Sequence, residues 1–422
     1  MSVYFGLSAG LQLLDVSSFS VMIESNKFTS CTVSVFNVAG GNAYGGAVSL
    51  YIGGYSSVYM LNGIGVAAVG DTVVRNVNVT LDAAEFASCS TRRSSTISVH
   101  GASVYGGSFS FYIGAYAWSY GKRDPHINIS STCGATNVSN VDVRILNVIS
   151  NDSSALQTSS VKETYGTHSY GGSMSVLHIG AYAVSGNSGT GTTSSSVCGN
   201  TSVKSVSVLV NNSDCFNCSA LSSSIDSIRG ANSYGGSMSV LHVGAHCMSA
   251  TAISSNSSSS CGATSAREVS VHVSDSDCFN CSASISRAVS AYGANAYGGS
   301  MSVLYVGAYS WSRSYIDTFS ASSRSTCGAT DASVVTVHIS DSNCYHCSSS
   351  TIGTSNLSNS VSYGANAYGG SISAAYIGAY SFSLGLKAES NSKVETTHVE
   401  TLSITIKNVT ISDSKAESCE CC

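Results

Sequence analysis

Apolar and small polar residues alternate at period two through most of this chain, in runs rich in Val, Ile, Tyr and Ser that end in Gly, Asn or Asp clusters. Such alternation is the pattern of half-buried strands, and no stretch joins a helical period to capping residues. The pattern predicts an all-β protein, and it repeats. Ala43–Tyr55 reads AYGGAVSLYIGGY and Val104–Tyr116 reads VYGGSFSFYIGAY. SYGGSMSVLHIGAY from Ser169, SYGGSMSVLHVGAH from Ser233, AYGGSMSVLYVGAY from Ala296 and AYGGSISAAYIGAY from Ala367 continue the series. The motif tyrosines Tyr44, Tyr105, Tyr170, Tyr234, Tyr297 and Tyr368 recur every 61 to 71 residues, so residues 1–422 read as one array.

A second strand-like segment closes each unit, ending at Cys31, Cys89, Cys218, Cys281, Cys347 and, in weaker form, Cys419; the unit at 141–153 keeps the strand without the cysteines. Between the units lie variable Ser/Thr/Gly stretches such as 185–196 and 249–260, expected to be surface loops. Near-identical strands bury themselves most simply on their own copies, about 4.8 Å apart. The predicted fold is therefore a parallel, right-handed β-helix or solenoid of about seven tandem units of about 64 residues. One wide coil per unit is the reading taken, and two or three narrower coils of about 20–25 residues are the alternative.

Stacking turns each motif position into a column. Tyr51, Tyr112, His178, His242, Tyr305 and Tyr376 form one expected ring ladder, and Tyr55, Tyr116, Tyr182, His246, Tyr309 and Tyr380 another. The histidines stand in tyrosine positions and read as stacking residues. Gly53, Gly114, Gly180, Gly244, Gly307 and Gly378 mark a corner or bulge with no room for a side chain. Tyr44 to Tyr51 and Tyr105 to Tyr112 are seven residues apart, whereas Tyr170 to His178 is eight, which predicts an added bulge from the third copy onward.

Composition narrows the function classes. Only 10 % of residues are charged and the 18 Lys+Arg are scattered under a net charge of −5, so the basic footprint of a nucleic-acid binder is missing. Polar residues break every apolar run well short of the roughly 18 residues of a spanning helix, which predicts no transmembrane segment. With 43 % hydrophobic residues a large core can form. Met1–Gly6 aligns with Val48–Gly53, and the chain stops half-way through a unit. It is thus expected to be either a fragment of a longer array or a subunit whose half-units complete one another head to tail.

FTSC at Phe28–Cys31 and FASC at Phe86–Cys89, paired with GGAV at Gly45–Val48, resemble the FxxN and GGA[ILV] repeats of polymorphic outer membrane proteins. The likeness covers the repeat spine of most of the chain, with Cys in place of the Asn, YGGS in later copies and a unit more than twice as long. It implies a parallel β-helix and a location at the cell surface.

Sixteen cysteines supply the most visible chemistry. Cys133, Cys198, Cys261 and Cys327 share a CG[AN]T context, and Cys215/Cys218, Cys278/Cys281 and Cys344/Cys347 form CxxC pairs. Column mates fall within disulfide reach, or each pair closes on itself. Zinc and free thiols are the alternatives, zinc being disfavoured by pairs about 63 residues apart. Disulfides would place the protein in an oxidising compartment. N-x-[S/T] sequons at Asn78, Asn128, Asn137, Asn151, Asn200, Asn211, Asn256, Asn356 and Asn408, with less persuasive ones at Asn217 and Asn280, are expected at strand ends or loops and to carry N-linked glycans. Asp275, Asp341 and Asp413, with Asp214 and Asp277, read as Asx-turn residues before calcium ligands or catalytic carboxylates. GGSMS is no GxSxG elbow, and YGG lacks the Lys and helix of a phosphate loop. No enzyme constellation, catalytic residue, resident metal or cofactor is therefore expected. The sequence points to an extracellular structural protein assembling with itself into a fibre or appendage. A surface adhesin for cells or glycans is the alternative, and a polysaccharide lyase or hydrolase a remote one.

Overall fold

The structure, a computed structural model, describes residues 2–5, 13–36, 43–60, 64–95, 99–100, 103–121, 128–159, 163–165, 168–187, 193–224, 227–229, 232–253, 256–288, 290–292, 295–315, 322–353, 362–363, 366–368, 371–386 and 389–418. Among these the regular elements are all strands, and no helix is long and apolar enough to cross a membrane. One coil serves as the pattern: β1 (His168–Tyr170), β2 (Met174–Ile179), β3 (Tyr182–Asn187), β4 (Thr193–Cys198), β5 (Thr201–Asn211), β6 (Asp214–Phe216), β7 (Ser219–Ser224) and β8 (Ser227–Arg229). Each strand pairs in parallel with its own copies in the coils before and after, giving eight sheets of five to eight strands.

Register shows that one sequence unit is one coil. Cys198 lies opposite Cys261, Thr201 opposite Thr264 and Tyr305 opposite Tyr376. The fold is a parallel β-helix with unusually wide turns, and the narrower-coil alternative fails. The added residue also falls where the spacing predicts: Ser110 pairs with Ser175, but Tyr112 pairs with His178. Later coils keep the new register, with Leu177 opposite Leu241 and Leu241 opposite Leu304.

The coil folds in on itself. β2 is buried on both faces, every residue from Met174 to Ile179 being inside. One face joins Val203, Val206, Val208 and Val210 of β5 and Cys215 of β6 in the main apolar core. The other meets the β1 tyrosines, Tyr170 standing edge-on to His178 with ring centroids 5.0 Å apart. The corner from β5 to β6 takes a left-handed residue at Asn147, Asn212, Asp275, Asp341 and Asn408, and the corner from β6 to β7 does so at Asp152, Asn217, Asn280, His346 and Asp413. Asn and Asp bear this conformation at low cost, and side chains link the corners: Asn212 Nδ2 donates to Asn147 Oδ1 at 2.8 Å, and Asn280 Nδ2 to Asn217 Oδ1 at 2.9 Å. Of the acidic residues read as turn formers, Asp275 and Asp341 take the first corner and Asp413 the second, whereas Asp214 opens β6 and Asp277 lies just before the next copy of that strand.

The Ser-rich stretches correct the sequence reading. Where they are described, at 185–187, 193–196, 249–253 and 256–260, they are parts of β3, β4 and the next copies of these strands, which pack face to face, while 188–192 and 254–255 lie outside the described residues. Ser185, Ser194, Ser196, Ser249, Ser257 and Ser259 are at most 2 % exposed. Ser185 and Ser196 share a hydrogen bond of 2.8 Å, as do Ser259 and Ser310 at 2.7 Å. A small hydroxyl both donates and accepts, so two close sheets satisfy each other's serines without water. The glycine column is also explained. Gly114, Gly180, Gly244 and Gly307 have φ of 149 to 158°, and a Cβ on any of them would lie 1.7–1.8 Å from the carbonyl oxygen of the next glycine.

Candidate functional site

Two kinds of column run up the tower, rings and thiols. The first expected ladder is continuous: Tyr51–Tyr112, Tyr112–His178, His178–His242, His242–Tyr305 and Tyr305–Tyr376 stack at 4.4–5.2 Å within 12° of parallel. The second tilts by 29° and 31° around His246 and is nearly parallel at Tyr55–Tyr116 and Tyr309–Tyr380. A third ladder, Tyr44–Tyr105–Tyr170–Tyr234, stacks at 4.8–4.9 Å; its tyrosines served the sequence reading only as repeat markers. The rings are also tied to the backbone, Tyr112 donating to the Gly180 carbonyl at 2.8 Å.

The histidine positions differ electrostatically from the rest. His178, His242 and His246 are at most 1 % exposed. Burial holds His178 well below the ordinary imidazole range and lowers His246 to about 4. Tyr170 Oη lies 3.3 Å from His246 Nε2. His178 and His246 are therefore neutral at pH 7.

The thiol columns stand where the sequence puts them, but the bridges expected there are not formed. Cys133, Cys198, Cys215, Cys218, Cys261, Cys278, Cys281, Cys327, Cys344 and Cys347 are free thiols. Column mates stay in hydrogen-bond contact through their sulfurs, as Cys198 with Cys133 and Cys261 and Cys218 with Cys281, without a covalent bridge, and the thiols also reach carbonyls. Cys133, Cys198, Cys261 and Cys327 donate to the carbonyls of Tyr182, His246, Tyr309 and Tyr380 at 3.0–3.3 Å. Cys218, Cys281 and Cys347 donate to Phe216, Phe279 and Tyr345 at 3.3–3.4 Å. As thiols these columns give no reason to require an oxidising compartment.

Among the described residues, two groups bring three metal-ligating atoms within 4.8 Å of one another: His178, His242 and His246, and Cys198, Cys247 and Cys261. Neither includes a CxxC pair. Cys247 was not singled out from the sequence, although the signal was present. GAHCMS at 244–249 replaces the GAYA or GAYS of the neighbouring copies, putting a new His and a new Cys side by side. Consecutive strand residues face opposite ways, so His246 joins the rings while Cys247 faces β4.

Of the sequons, Asn78, Asn128, Asn137, Asn200, Asn217, Asn256, Asn280 and Asn408 are exposed, Asn151 and Asn211 are half-buried, and Asn356 lies outside the described residues. Asn78 sits inside a long strand, not at a strand end or in a loop as expected, whereas Asn137 is the second residue of its strand. Comparison with protein-family models, curated proteins and solved structures found no match to this chain.

Proposed function

We propose that this protein is a structural element of a cell surface or extracellular layer, a β-helical rod that extends by stacking coil on coil with further copies of itself. The carrying observation is the in-register stacking of like residues from coil to coil, with Cys198 opposite Cys261, Thr201 opposite Thr264 and Tyr305 opposite Tyr376. Coils that stack on their own copies within one chain offer the same kind of surface to a second copy, and a head-to-tail contact that does not close propagates as a fibre.

The rest of the molecule suits load-bearing. Stacked ring pairs each contribute about 0.5–1.5 kcal/mol beyond their buried area, and buried serines hydrogen-bond across the facing sheets. Exposed sequons and the repeat resemblance to polymorphic outer membrane proteins support the surface location and an N-glycan coat. Electron microscopy of the purified full chain, with sedimentation, tests the reading. Filaments with a layer spacing of about 4.8 Å along the axis are expected. Discrete monomers that bind cells or glycans would overturn it in favour of an adhesin.

A further inference from the structure

Cys247 is the exception in its column. The residues in register with it on the neighbouring copies of β3 are Ala117, Ala183, Ser310 and Ser381. Opposite lies the β4 column Cys133, Cys198, Cys261 and Cys327. One thiol from β3 thus enters a row of thiols from β4, and the side chains of Cys198, Cys247 and Cys261, none more than 3 % exposed, share one interior spot with their sulfurs within 4.8 Å. The row continues on both sides: Cys133 is in hydrogen-bond contact with Cys198, and Cys327 with Cys261. Packing alone does not call for this thiol, since alanine and serine fill the same place elsewhere.

We propose that Cys198, Cys247 and Cys261 form a buried three-sulfur site for a soft monovalent metal ion, copper(I). Thiolate sulfur selects copper(I), zinc and iron–sulfur centres. Zinc takes a fourth ligand in nearly every structural site, whereas copper(I) is satisfied by three sulfurs in a plane. The apolar surroundings are alanines and further thiols, with the His246 imidazole near Cys198. The nearby imidazoles serve less well as ligands: His178 and His242 lie 4.4 Å apart at 7° from parallel, which aims their in-plane lone pairs side by side. Sulfur has no such planar restriction. Forming three Cu–S bonds breaks three S–H bonds and sends three protons to solvent, with no change of oxidation state. The thiols of Cys133 and Cys327 stay protonated, donating to the Tyr182 and Tyr380 carbonyls.

The site is sealed between β3 and β4, so it fills as the coils close. The test is the full chain produced with copper and purified without oxygen, alongside Cys247→Ala, which carries the residue already present at Ala117 and Ala183. Copper per chain by mass spectrometry, the sulfur-to-copper absorption band in the ultraviolet and Cu–S distances by X-ray absorption are the readouts. The wild type is expected to hold one more copper than Cys247→Ala, with three sulfur neighbours per copper at that extra site, while the two proteins show the same circular dichroism. Equal copper in both overturns the proposal. So does zinc in place of copper, or a Cys247 found in a disulfide with Cys198 or Cys261 by peptide mapping.

Discussion

Replacing His246 by tyrosine, the residue at Tyr182 and Tyr309 in the same column, is expected to remove an acid-sensitive joint from the tower. His246 is fully buried among Tyr170, Tyr182, His178, His242 and Tyr309, with Cys198 near by, and no carboxylate contributes to its shift. Burial lowers its imidazole from 6.5 to about 4 in the folded chain. The unfolded chain therefore takes up a proton first as pH falls. The stability held in the neutral ring is complete above pH 6.5, declines through the window from 6.5 to 4, and is lost below it. At about 1.36 kcal/mol per pH unit the full loss is about 3 kcal/mol, of which about 2 kcal/mol is gone by pH 5. His178 shifts in the same direction, so the wild type loses more than this. Urea unfolding followed by tyrosine fluorescence at pH 7.5 and pH 5, for wild type and His246→Tyr, isolates the share of one ring. The variant should lose about 2 kcal/mol less than the wild type over that interval. Identical pH dependence in the two proteins would refute the argument that burial keeps His246 neutral.

Gly180→Ala sets a Cβ 1.8 Å from the Gly244 carbonyl oxygen at a φ of 157°. It should destabilise by more than about 3 kcal/mol or prevent folding. Gly186→Ala, in register with Ala250, should stay within about 0.5 kcal/mol by thermal melting. Native protein should yield none of its ten column cysteines to a thiol reagent, while Cys31, the partly exposed cysteine among those described, reacts. After unfolding without reductant all ten should react, and bridged cysteines at these positions would contradict the thiol assignment.

The parts of this fold that a sequence shows are those with a strong local rule. Period-two alternation gave the strands, the recurring YGG gave the coil length, and the step from Tyr170 to His178 located the bulge. Corner residues such as Asn147, Asn212 and Asp275 could be read because few residues tolerate a left-handed turn. What lacked a signal was any surface that buries polar atoms. Ser194, Ser196 and Ser257 have the composition of a loop, yet they occupy a sealed interface because a facing hydroxyl replaces water, a fact that depends on a sheet remote in the sequence. The cysteines failed differently. Their columns were legible, but whether neighbouring sulfurs join covalently or stay as thiols is something the spacing does not carry. Cys247 becomes chemically distinct only when β3 is laid against β4, and the same is true of the meeting of His178, His242 and His246.

Tandem copies lie one above another in a single tower. Asn78, Asp142, Ser207, Ser270, Thr336 and Ser403 form one outward column on the copies of β5, each in register with the next. Spin labels carried on non-cysteine residues at Asn78 and, in turn, at Ser270, Thr336 and Ser403 allow their separations to be measured by pulsed electron resonance. The tower predicts distances of about 14, 19 and 24 Å, rising by about 4.8 Å per coil. Separations that fail to rise in even steps, or an Asn78–Ser403 distance above about 40 Å as independent domains on tethers would give, would contradict it.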